Sequence, residues 1–292
     1  MSRIERVSRT KSATRIRTGR RIRVREVILI IAMLVLSFIW LYPFLWPVFS
    51  AFKSSQEMYS AGYRLWPMNW VLDNFARAWD SASFSRYLIN SIVYSVTSTA
   101  LSVAVAALAG YSLARYRFPG HKVIGLLILA FLFIPTATSI LPIFDLIDQL
   151  GLLNTMFGVV LALTGGIGFS TLLFRGYYSA IPQELFDAAS LDGAGFLRQF
   201  QMTFPLVKPV IATTAILGFT SSWQEYFIPL VFTLGNPELR TVSVGLRAFT
   251  QQFSVDLSGF AAGVTLSMLP IILVFAFFQR YFIDGLAGAI KD

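Results

Sequence analysis

Cysteine is absent and histidine occurs once, at His121, which excludes disulfides, thiol chemistry and His/Cys metal centres. Charge is scarce as well: 13% of the 292 residues are ionisable by the Asp, Glu, Lys, Arg count, against about a quarter in a soluble domain. A soluble fold of this length would lack polar surface. No G-x-x-x-x-G-K-S/T loop occurs, so any nucleotide-driven process needs a separate ATPase. No cluster of acids and bases falls within the apolar segments, which leaves an integral-membrane enzyme without a catalytic set. Neither a paired acidic relay nor an inverted repeat is visible, and both omissions weigh against an ion-coupled secondary transporter, the alternative reading.

What is present is apolar: 55% of the chain is hydrophobic and 15% aromatic. Crossing a bilayer core about 30 Å thick takes about 20 apolar residues as a helix, and six stretches meet that need, near 27–49, 88–114, 123–143, 157–177, 206–233 and 261–283. The expected fold is all-α and polytopic, with six transmembrane helices in one membrane domain, 26–292, preceded by a basic arm, 1–25. Ten Lys/Arg against one Glu in that arm supply the whole net charge of +9. Beside an apolar run this is a topology signal that holds the N-terminus in the cytoplasm, with anionic-lipid contact as a by-product. With six spans, both termini are cytoplasmic and 18 basic residues lie inside against six outside, namely Lys53, Arg64, Arg77, Arg86, Arg240 and Arg247. The first apolar run ends in Trp40-Leu-Tyr-Pro43 and Trp46-Pro47 without a small-residue cleavage pattern, so it is expected to stay as an anchor.

Pro43, Pro47, Pro135, Pro142, Pro229 and Pro270 fall inside the spans and predict kinks, whose freed carbonyls need partners within the protein or a watery cavity. Gly165, Gly166 and Gly168 suggest close helix packing or, secondarily, a flexible point. The outer segment 50–87 carries Trp66, Trp70 and Trp79, suited to the membrane interface or to an external partner.

The polar interruption at about 182–205 holds the densest chemistry. Pro182 suits a first helical turn, and Glu184 and Asp187 suit that helix's positive end. Asp192-Gly193 supplies a turn, and Ala194 to Thr203 forms a second short helix before Pro205. Glu184, Asp187/Ala188 and Leu191 fall at i, i+3/i+4 and i+7, one stripe fitted to a protein groove. In the fifth span, Trp223-Gln224-Glu225-Tyr226-Phe227 places an amide, a carboxylate and three aromatics together. Glu225 would stand about 24 Å above Pro209 at 1.5 Å per residue, where an acid is either functional or paired. It would contact a sugar directly or bond to a neighbouring helix and hold the pathway's shape.

The pattern E-L-x-D/E-A-A-x-I/L-D-G-A from Glu184, followed by F-P-L-x-x-P from Phe204, resembles the coupling motif of carbohydrate-uptake ABC transporter permeases, the family of the maltose transporter's inner-membrane subunits. Trp223-Gln-Glu-Tyr226 is similar to that family's Trp-Asn-Glu-Phe segment, and Gln279 to Lys291 to its C-terminal Q-R-Y-F-x-x-G-L-x-x-G-A-x-K ending. Asp187 stands where Glu is usual and Gln224 where Asn is usual. The resemblance implies a type I ABC importer permease, not itself an enzyme, that moves a sugar or oligosaccharide inward by ATP-driven alternating access. Coupling to the ATPase would fall to Glu184, Asp187, Ala188, Ala189, Leu191, Asp192 and Gly193. It also implies a bacterial or archaeal inner (cell) membrane, a second homologous permease, two ABC ATPase subunits that bind ATP and Mg, and an extracytoplasmic solute-binding protein. No cofactor or nucleic acid is expected on this chain.

Overall fold

A computed structural model describes residues 24–60, 64–80, 83–251 and 254–289, so the basic arm and the last residues of the C-terminal pattern lie outside the described residues. By internal contacts the chain divides into two compact units, Met1–Leu45 and Trp46–Asp292. Helix α1, Val24–Ser50, is apolar on every face and its most apolar window buries nothing within the chain, as expected of a helix whose solvent is lipid.

The second unit is built on α4, Phe84–Arg115. It packs along α8, Gly168–Ser179, α11, Lys208–Gln224, and α7, Met156–Leu163. Small residues let the backbones close up. A Cβ on Gly110 would lie 2.5 Å from Phe174 Cβ and 2.8 Å from the Arg175 amide and the Thr171 carbonyl, so only glycine admits α8 at this approach. Two of the buried hydroxyls bond to carbonyls one turn back, Ser98 to Tyr94 (2.6 Å) and Thr214 to Val210 (2.8 Å), whereas those of Ser95, Thr99 and Tyr178 are buried without a hydrogen-bond partner.

At one end of the unit, helices α2, Ser55–Ser60, and α3, Asp73–Asp80, enclose a polar knot under an aromatic cap. Buried Lys53 donates to the Arg64 carbonyl, and desolvation lowers its pKa from the usual lysine value. Asn74 Nδ2 donates to the carbonyls of Ala51 and Lys53, both at 2.8 Å. The rings of Phe49 and Trp66 stand 4.8 Å apart and those of Phe52 and Trp70 4.9 Å apart. Tyr59 Oη (2.7 Å to the Val255 carbonyl) and Arg77 (3.6 Å to Asp256) tie this knot to the hairpin of β1, Thr250–Gln251, and β2, Ser254–Val255, which precedes the last helix, α13, Leu257–Ala289.

The spans depart from the expected six. Among the described residues, four helical stretches are long and apolar enough to cross a membrane: Val24–Ser50, Phe84–Arg115, Phe196–Gln224 and Leu257–Gln279. The pair α7 and α8, bent by 55°, makes a fifth if taken as one span. The stretch expected at 123–143 is interrupted. It comprises α5, His121–Phe131, a 3-10 turn at Thr136–Ser139 and α6, Ile140–Gln149. Pro135 explains the break, because a proline disfavours helical backbone in the residue before it and cannot donate to the turn behind. The stretch expected at 206–233 ends at Gln224 and resumes as α12, Phe227–Phe232. Pro43 and Pro47 lie within an unbroken α1. Of the three glycines, Gly168 packs closely, with a Cβ there 3.1 Å from Leu132 Cδ2, whereas Gly166 turns the chain between α7 and α8 at φ 75°.

Candidate functional site

Two helices form the polar loop: α9, Gln183–Leu191, and α10, Phe196–Thr203. Pro182, extended at ψ 139°, starts the first, and a glycine cap stops it. Gly193 sits at φ 76° and donates to the Ser190 carbonyl (3.0 Å), while the Ala194 amide reaches back to the Ala189 carbonyl (2.9 Å). This is a Schellman closure, for which the left-handed residue is best a glycine. A strap joins the helices: Gln199 Nε2 donates to Ser190 Oγ and to the Ala194 carbonyl, both at 2.9 Å.

The loop is mounted on the bundle by aromatic packing. Tyr111 of α4 is fully buried, with its ring 5.3 Å from Tyr178, 5.2 Å from Phe196 and 5.5 Å from Phe200. Buried Phe186 of α9 joins the same cluster with Phe174, Val207 and Val210, so α4, α8, α9 and the start of α11 share one core. The guanidinium of Arg115 lies 3.5 Å above the Phe186 ring and donates to the Ile181 carbonyl (2.6 Å) and to Gln183 Oε1 (3.1 Å). That cation fixes the entry to α9 from one side while the ring cluster fixes its floor.

What is left outward is the stripe. Glu184, Asp187, Ala188, Leu191, Asp192 and Gly193 are exposed, Leu191 at 90%, whereas Ala189 faces inward at 7%. Ala189 therefore belongs to the mount and the other six to the free face. Tyr111, Arg115 and Gln199 were not foreseen from sequence; Tyr111 and Arg115 stand some 70 residues before the loop, and only Arg115's place at the end of an apolar run hinted at a role.

The second set is divided by the break in the helix. Glu225, extended at ψ 126°, ends α11, and its Oε1 accepts from the amides of Phe227 (2.9 Å) and Ile228 (3.3 Å), the first of α12. The carboxylate caps the resumed helix, where negative charge is favoured. Glu225 and Phe227 line a cavity of about 610 Å³ with Ser139, Gly165, Gly166, Ser221 and Ser222. Trp223, Gln224 and Tyr226 do not line it. Trp223 is buried and stacks on Phe219 (5.6 Å), Gln224 is exposed, and Tyr226 lies 5.6 Å beneath the Arg247 guanidinium. The cavity thus meets both breaks, Gly165–Gly166 before α8 and Glu225–Tyr226 after α11.

Residues 102–287, which contain the loop, its mount and the cavity's polar wall, match the family of binding-protein-dependent transport system inner membrane components. The chain belongs to that family. It is a permease, a transport component and not an enzyme. Relatives include the maltodextrin transport system permease protein MdxG of Bacillus subtilis, 36% identical over 88% of this chain and 93% of its own length. The diacetylchitobiose uptake system permease protein NgcG of Streptomyces coelicolor is 32% identical over 89% and 86%. The arabinooligosaccharides transport system permease protein AraQ of Halalkalibacterium halodurans is 34% identical over 89% and 95%. A chain in the crystal structure of a bacterial ABC transporter involved in import of the acidic polysaccharide alginate shares the fold, with TM-score 0.77 and 23% identity over 91% of this permease and 99% of that chain. The helical architecture is thus that of an ABC importer permease.

Proposed function

We propose that this permease moves a sugar or oligosaccharide inward across the cell membrane, driven by a separate ATPase docked on the α9–α10 loop. The single observation that carries the coupling is the contrast within that loop: an acidic and apolar face left free, on a base clamped to three membrane helices. The oligosaccharide class follows from relatives named for maltodextrin, diacetylchitobiose and arabinooligosaccharides. The working unit is this chain, a second homologous permease, two ATPase subunits holding ATP and Mg, and an extracytoplasmic solute-binding protein. If α7 with α8 counts as one span and the interrupted stretch from α5 to α6 as another, the spans number six, and with both termini cytoplasmic the loop falls on the ATPase side.

In this mechanism ATPase closure carries Glu184, Asp187, Ala188, Leu191, Asp192 and Gly193 with it. The aromatic mount passes that displacement to α4, α8 and α11, and the bundle switches between two packings. Glu225 shapes the pathway through its hold on α12, and Phe227 offers a ring to the solute. The ion-coupled alternative is not favoured, because this carboxylate is already engaged by two backbone amides.

The test is co-purification of the tagged chain from cells expressing its genomic neighbours, followed by reconstitution. A second permease and an ATPase should come down in fixed ratio, with ATP hydrolysis stimulated by a sugar-loaded binding protein. Uptake by the isolated chain along an ion gradient would overturn the proposal.

A further inference from the structure

A basic cavity in the second unit shares no lining residue with the coupling loop or the cavity at Glu225. About 710 Å³ in volume, it is lined by Arg117, Lys122 and Arg175, by Gly120 and Gly125, and by Phe118, Val123, Leu126 and Leu129, with His121 at its edge. No acidic residue lines it, and among the described residues none of its three cations forms an ion pair. His121 is otherwise engaged, its Nε2 2.7 Å from the Leu113 carbonyl. The cavity lies at the α9–α10 end of the bundle, since Arg117 stands two residues after Arg115, which holds the entry to α9. It opens onto α5, whose Lys122, Leu126 and Leu129 fall at i, i+4 and i+7 on one face, with Val123, Leu126 and Leu129 exposed.

We propose that this cavity is a binding site for one anionic phospholipid. The phosphate sits among Arg117, Lys122 and Arg175, and the acyl chains run along Val123, Leu126 and Leu129. Three unpaired cations above an exposed apolar stripe match the two halves of such a molecule, an anionic head at the interface and a tail in hydrocarbon. Gly125 leaves room between them: Arg175 Nη1 stands 3.4 Å from where a Cβ would lie, an ordinary contact distance, so a side chain as long as Leu would take up the space beside the guanidinium. The bound head would tie α8 to the start of α5 across the turn that follows α4. The site does not depend on the direction of transport or on the solute.

The experiment uses the full-length chain with whatever subunits accompany it, delipidated in detergent and titrated with phosphatidylglycerol under native mass spectrometry. One lipid per chain should resist displacement by phosphatidylcholine and by millimolar inorganic phosphate. Each cation contributes about fivefold, so R175Q should weaken binding several-fold and R117Q/K122Q/R175Q about a hundredfold. G125L changes no charge and favours the helix, yet should weaken binding at least tenfold by filling that space. K208Q, which removes an exposed charge at the same end of the bundle, should change it less than twofold. Equal loss in K208Q, unchanged binding in G125L, equal affinity for phosphatidylcholine, or displacement by inorganic phosphate would each overturn the proposal. G125L and R175Q keep it testable if the triple variant does not fold.

Discussion

Gly193 offers a test of what the loop requires. Its backbone stands at φ 76°, and a Cβ placed there would meet nothing within 4 Å. Within this chain the cost of a side chain is therefore conformational, about 1–2 kcal/mol for an ordinary L-residue held in the left-handed region. That lowers the preference for the capped loop about 5- to 30-fold. Asn tolerates the left-handed region better than Ala, and β-branched Val worse than either. In proteoliposomes with the full set of subunits, sugar moved per ATP hydrolysed should fall in the order Gly, Asn, Ala, Val. Crowding in a tight docking cleft would order the variants by size and place Ala above Asn. Finding Ala above Asn, or wild-type coupling in G193V, would refute the argument from backbone strain.

Three further perturbations probe the mount, the pathway and the aromatic knot. Y111A removes a fully buried ring that touches both loop helices, and should cost about 3–5 kcal/mol. It should appear as a lower melting temperature in detergent, while Y111F, which loses only the 3.4 Å bond to Gln199, stays close to wild type. E225A deletes the cap on α12 and should cost about 0.5–2 kcal/mol. E225Q keeps an accepting oxygen and should melt within a degree or two of the parent; if it does so yet loses uptake, Glu225 contacts solute in addition to capping. K53M removes a buried ammonium whose bond to the Arg64 carbonyl is part-buried, worth about 0.5–1.5 kcal/mol, and should speed proteolysis of the 50–80 segment. Unchanged cleavage there would show that the ammonium contributes nothing to holding the segment.

The loop was legible in sequence because its signals are local. Pro182, Asp192-Gly193 and the Glu184 to Leu191 spacing each act within a few residues, and the structure places a helix, a left-handed glycine and a second helix where these signals fall. Ala189 escaped because helical spacing alone does not tell which side faces inward; Phe186 and Tyr111 settle that. The span count was harder for a related reason. Hydropathy measures suitability for lipid and says nothing of a Pro135 or a Pro229, whose missing N–H takes a rung from the hydrogen-bond ladder inside an apolar run. Trp223 read as a pathway residue because aromatic, amide and carboxylate groups adjoin in sequence. The Trp223 indole stacks on Phe219, one turn back in the same helix α11, a contact that its adjacency to Gln224 and Glu225 in sequence does not reveal.

The two breaks make most sense considered together with the mount. Helix α8 begins just after Gly166 and α11 ends just before Glu225, and both breaks open onto the same cavity. Away from the breaks these helices carry Phe174, Tyr178 and Val210, joined by Val207 just before α11, in the core that grips α9 and α10. A close-packed aromatic core transmits a push because it is hardly compressible, whereas a helix interruption absorbs one by changing a few backbone angles. Under the proposed coupling, a displacement entering at the loop would travel along two stiff helices and be taken up where each ends, at the cavity wall. Cap and carboxylate would then serve opposite ends of one lever: Gly193 would fix the shape of the face that is pushed, and Glu225 the helix that must resume beyond the point of yield.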